Sequence, residues 1–171
     1  MVSATAVTLL IVANQAISFN ANSLEASWLA QEGVNGFRGL RDTNWIRFSY
    51  DKESCWNMVT DNCTPANIMT DASYRIETST IRPPQLFEET PALDLSDGIQ
   101  PTDDAYRLYY QADGTVDHDD GGEKSKFFRS IELEIVDPNI INAVCTVAWL
   151  QSGDQKTIKL PVIITNFALE E

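Results

Sequence analysis

At 171 residues and a formal net charge of −13, the chain is one domain of ordinary size, long enough to bury a core. A hydrophobic share of 43% argues against wholesale disorder. The negative balance argues against direct nucleic-acid binding and against lying on an anionic membrane surface.

Residues 1–13, MVSATAVTLLIVA, are apolar or small. They are fewer than the ~20 needed to span a bilayer. No Lys or Arg precedes them, the first cation being Arg38, so the charged start of a secretory signal is missing. The segment reads as the end of a longer apolar helix, with Met1 an internal residue or an added start. The alternative is a signal peptide cleaved near Ala13–Ala16.

The helix is expected to continue unbroken to residue 44, with an apolar half over 1–20 and an amphipathic half over 21–44. Ala6, Leu10, Ala13, Ile17, Ala21, Leu24 and Trp28 recur at three-to-four spacing and share one face. Ala30, Val34, Phe37 and Leu40 continue on a neighbouring face. Gly33, Gly36 and Gly39 would let another backbone come close, or mark a fraying end. Asp42-Thr43-Asn44 is the expected stop.

Residues 45–171 read as a β-rich head. Cys55 and Cys63, in CWNMVTDNC, are expected to form a small disulfide, which implies an oxidising compartment. The alternative is two reduced thiols in a cytosolic loop. Cys145, in an apolar run, is expected to be a buried free thiol. The spacing fits no zinc pattern, and His118 is the only histidine.

Residues 74–78 can form a first strand, and the proline-rich, acidic 79–104 a long surface connection. Tyr106–Gln111 reads as a strand. In 126–136, Phe127, Ile131, Leu133 and Ile135 take one face, and strict alternation puts Arg129 with them, where it pairs with an acid or is turned out by a bulge. Residues 143–151 and 156–165 complete an antiparallel meander, joined by a tight turn at Ser152-Gly153-Asp154. Pro161 marks the last run as an edge strand or a bulged one. The fold class is α+β, a long N-terminal helix packed on an antiparallel meander, with residues 14–44 as the helix that covers it. The apolar start of the helix is then left needing a membrane or copies of itself.

Four places in this chain resemble type IV pilin-like and pseudopilin-like proteins. One is the apolar segment running into an amphipathic helix. The second is Leu29-Ala30-Gln31-Glu32-Gly33 with Phe37-Arg38 and Arg41-Asp42-Thr43-Asn44-Trp45, similar to the helix end of that family. Phe127-Phe128-Arg129-Ser130-Ile131-Glu132-Leu133 resembles its central strand, and Val144–Trp149 with Lys156–Phe167 its closing hairpin. Residues 46–105 carry no resemblance. The family's processing motif, a glycine followed by an aromatic residue and a glutamate at the fifth mature position, is absent here, so no residue takes that role.

The resemblance implies a non-enzymatic filament subunit at the cell surface, membrane-anchored before assembly. Its partners would be copies of itself, other pilin-like subunits and inner-membrane assembly machinery. Val2, Ala6, Leu9, Leu10, Ala13, Ile17, Leu24 and Trp28 would form the assembly helix. A pseudopilin of a type II-like secretion machine is the alternative within the fold. A secreted ligand- or carbohydrate-binding β domain is the alternative outside it, with an extracellular enzyme a third.

Asp113, Asp117, Asp119 and Asp120, interspersed with glycines, are candidate calcium ligands, although the order does not match an EF-hand; the other reading is a solvated hairpin loop. His118 among them is expected to be exposed. Trp28 and Trp45 are read as packing anchors. No nucleophile elbow, P-loop, zinc-protease or dinucleotide motif occurs, and no cofactor is expected beyond that calcium.

Overall fold

The computed structural model describes residues 2–78 and 83–166, with side chains for 6–78, 83–100 and 103–166. The side chain of Val2 and the residue Phe167 lie outside them. A single α-helix, α1, runs Val2–Arg47, about 70 Å at ~1.5 Å per residue. It passes through the expected stop at Asp42-Thr43-Asn44. Asn44 is fully buried there and donates from Nδ2 to the carbonyls of Trp56 (3.1 Å) and Met58 (2.8 Å). A residue that ordinarily ends helices instead ties the next loop to this one.

That loop carries a short helix, α2 (Lys52–Cys55), and the Cys55–Cys63 disulfide. Seven strands form one antiparallel sheet: β1 Ser73–Glu77, β2 Gln85–Glu88, β3 Arg107–Tyr110, β4 Val116–Asp117, β5 Glu123–Asp137, β6 Ile140–Gln151 and β7 Asp154–Thr165. β5 is the axis. One edge pairs with β6, which pairs with β7. The other edge is shared end to end: Arg107 of β3 lies opposite Phe128, and Tyr74 of β1 opposite Ile131. β7 is an edge strand, as Pro161 requires. Ser152 and Gly153 both take positive φ, the two-residue hairpin turn whose twist matches the strands.

The front face of the sheet carries Phe127, Ile131 and Leu133 of β5 and Ala143, Cys145, Val147 and Trp149 of β6, all buried against α1. The back face carries Phe128. Its upper part is covered by the connection before β3, where Leu93 and Tyr106 pack on Phe128.

The helix docks later than expected. Every described side chain from Ala6 to Ala21 is exposed, and burial begins at Asn22 and Ala26, not at residue 14. From there Leu29, Ala30, Val34, Phe37 and Leu40 face the sheet. The glycines admit side chains rather than a second backbone. A Cβ on Gly33 would lie 2.8 Å from Cys145 Sγ and 3.1 Å from Arg129 Cδ, and one on Gly36 would lie 2.5 Å from Thr78 Cγ2.

Two outcomes follow. Gly33→Ala destabilises the protein by about 1–3 kcal/mol despite the gain in helix propensity. Adding Cys145→Ala recovers a large part of that loss, a coupling that a double-mutant cycle in urea measures. Cys55→Ala/Cys63→Ala releases a loop with a sequence separation of 8. It lowers unfolding free energy in the same assay by about 2–3 kcal/mol.

Candidate functional site

At 100° per residue, Ala6, Leu10, Ala13, Ile17, Ala21, Leu24 and Trp28 stay within one narrow stripe of α1. The sheet-facing residues Asn22, Ala26, Ala30, Gly33 and Phe37 centre on the opposite side. The helix therefore has two apolar faces, and the head uses only one. Leu10 is 65% exposed, Ile17 66%, Leu24 74% and Trp28 58%. Trp28, read as a packing anchor, is not among the buried core residues of the head. Trp45 does tie the fold together: it is half-buried, and its indole Nε1 donates to Asn166 Oδ1 at 3.1 Å. The stripe extends for about 33 Å, and its last turns, at Leu24 and Trp28, run over the level of the head. No ionisable side chain occurs between Val2 and Leu24. Among the described residues, no helix is long and apolar enough to cross a membrane.

At the upper end of the head, polar groups fix the point where the helix leaves. Lys126 Nζ donates to Asn22 Oδ1, and Asn22 Nδ2 to Gln151 Oε1 (3.3 Å). The Tyr110 hydroxyl donates to Glu25 Oε1. Burial first, and then that carboxylate, raise the Tyr110 pKa.

Arg129 does lie on the helix-facing side and is fully buried. It reaches Glu32 Oε2 at 3.4 Å and donates to the carbonyls of Leu29 (3.2 Å) and Ile76 (3.1 Å). Thr78 Oγ1 donates to the other Glu32 oxygen (2.9 Å). Cys145 is free and buried; burial raises its thiol pKa to about 11, which leaves it protonated and inert.

The acidic loop does not converge. Asp113 accepts from the amide and hydroxyl of Thr115, Asp117 from the Asp119 amide and Gln111 Nε2, and Asp119 from the Gly121 amide. These bonds turn the chain inside the loop. Among the described residues, no three His, Cys, Asp or Glu side chains group to hold a metal ion.

His118 departs most from expectation. It is 5% exposed, with Nδ1 3.1 Å from the Arg107 carbonyl oxygen and Nε2 buried without a partner. Burial above all, then Arg129 and Arg75, hold its pKa well below the usual imidazole value. The ring forms part of a cleft of about 500 Å³ lined from β1 and β3, with Arg75, Glu77, Asp104, Tyr109, Asp119 and Asp120. In the Val-Asp-His-Asp-Asp run, the buried Val116 and His118 lie two residues apart, a spacing consistent with one side of an extended chain.

The chain matches no protein-family model, no curated protein sequence and no solved structure.

The depressed pKa of His118 makes stability depend on pH in a defined direction. The unfolded chain, titrating near ~6.5, binds the proton more readily than the folded one. The contribution is complete above that pH and is lost as the pH falls below it, at up to about 1.4 kcal/mol per unit. Urea unfolding at pH 7.5, 6.5 and 5.5 shows the decline. His118→Asn, which keeps a donor for the Arg107 carbonyl, flattens it over that interval.

Proposed function

We propose that the chain is a structural subunit of a type IV pilus-like surface filament, assembling through the outward stripe of α1 with its acidic head facing solvent. One observation carries this reading: the periodic apolar stripe from Ala6 to Trp28 lies opposite the face that the head buries, and every described position on it is exposed. An apolar surface of that length contributes nothing to the isolated subunit. Buried between copies it would be worth about 25 cal/mol per Å².

The helix-on-sheet fold and the disulfide support the reading, as do the residues with which the chain resembles pilin-like proteins. In a filament, the apolar helix would pack at the core with other pilin-like subunits. Before assembly it would be held in the membrane and handed on by inner-membrane machinery. The head, with its net charge, would keep the outer surface solvated. A pseudopilin of a secretion machine uses the same surfaces and remains the alternative.

The test is direct. Ile17→Asp and Leu10→Asp each abolish self-association in sedimentation velocity, while the unfolding midpoint of the head is unchanged. Association strengthens between low salt and about 0.5 M NaCl, because salt screens repulsion between subunits of like charge and does not screen apolar contact. The native protein is then found in filaments sheared from the cell surface, with residues 1–20 retained. A chain that starts near Ile17, free in the medium and absent from sheared material, defeats the proposal and favours a secreted binding domain.

A further inference from the structure

β7 ends the sheet with a long open edge. It runs 12 residues, from Asp154 to Thr165, and among the described residues no strand pairs with its outer side. The register tells which way each backbone group points. β7 and β6 pair at Ile158↔Val147, Leu160↔Cys145, Val162↔Ala143 and Ile164↔Ile141. The next residue of that parity, Asn166, donates its amide to the Asn139 carbonyl at 2.9 Å. Even-numbered residues therefore exchange hydrogen bonds with β6, and the odd-numbered ones turn their amides and carbonyls outward. Pro161 stands in that outward row, opposite Val144, where a residue without N–H takes no bond from the ladder with β6.

An exposed edge is a template for another strand, and proteins protect it with charge, proline, bulges or cover. Thr157, Lys159, Pro161 and Ile163 are all exposed, so this edge is not covered. Charge does little for it either. The chain is strongly acidic, but β7 itself carries Asp154, Lys156 and Lys159. If two copies aligned β7 antiparallel around residue 161, Lys159 would face Ile163 and Thr157 would face Thr165. No like charges would then lie directly opposite. We propose that Pro161 is what keeps β7 from pairing with the β7 of a second copy. It removes the central donor from both strands of such a pair and leaves residues 155–159 and 163–165 as separate short stretches. This concerns the sheet edge and does not rest on the filament reading, which uses the helix stripe.

The test uses the full chain carrying Ile17→Asp, so that contact through the stripe does not mask the edge. Pro161→Thr supplies the missing donor with a residue suited to strands. Sedimentation velocity is expected to show a dimer, with an association constant about tenfold or more above that of the Ile17→Asp parent. Pro161→Val, with the same donor and a different side chain, does the same. In these dimers hydrogen exchange slows at the amides of residues 157, 159 and 163, which places the contact on the β7 edge. Adding Lys159→Pro, which takes a donor out of the same row, returns the chain to the parent's behaviour. Both readouts are differences from the parent, so they hold whether or not the stripe self-associates. Variants that stay as monomeric as the parent overturn the inference. So does a dimer whose outward β7 amides exchange as fast as the parent's, or one that survives Lys159→Pro.

Discussion

The burial of one guanidinium organises this molecule. Arg129 sits mid-strand in β5, between the residues that pair with β3 and those that pair with β1. Without partners, a charge there would be very costly. It is made tolerable by Glu32 and Leu29 of the helix and by Ile76 of β1. Those partners come from two separate elements, α1 and β1, so pairing both terminal nitrogens of a β5 arginine fixes the helix on the sheet and β1 beside the helix at once. Gly33 belongs to the same arrangement: only a residue without Cβ leaves room for both the arginine stem and Cys145. Burial above all, and then Arg129 and Arg75, lower the His118 pKa, and the Arg129 contribution links the helix–sheet interface to the cleft on the other edge of β5.

The docking of α1 leaves a consequence for its other side. A helix that buries Ala26, Ala30, Phe37 and Leu40 would ordinarily present polar residues opposite them. Here the outward side carries Leu24 and Trp28 where docking begins and Leu10 and Ile17 ahead of it, and every described side chain from Ala6 to Ala21 is exposed. Two apolar faces on one helix, with one buried within the chain, leave the other as exposed apolar surface.

Much of this fold was legible in the sequence, and the reasons are specific. The parity of Phe127, Ile131 and Leu133, of Cys145, Val147 and Trp149, and of Ile158 to Ile164 placed the front face, because period-two alternation admits one assignment. Pro161 marked the edge because it cannot donate to a second neighbour. What escaped was set by tertiary partners. Two apolar stripes on one helix look alike in sequence, and only the sheet shows which is used. Asn44 reads as a stop until two loop carbonyls give its side chain a reason to stay. His118 reads as exposed from its acidic neighbours, yet it is buried in the bend just after β4, two residues from the buried Val116. The cleft could not be read at all, since Arg75, Tyr109 and His118 are brought together only by β5 sharing one edge between two strands.

The charge distribution then bears on how such a subunit could pack with copies of itself. The net charge of −13 lies wholly in the part of the chain after Leu24, because nothing before it ionises. Heads of like charge repel, but over a range of only about 8 Å at physiological ionic strength. The helix stripe extends for roughly four times that distance. Copies can therefore bring their uncharged segments into contact while the heads stay far enough apart for salt to screen them. That separation is possible only because the helix continues well beyond the sheet, and it makes a head so acidic compatible with the proposed assembly through the apolar helix.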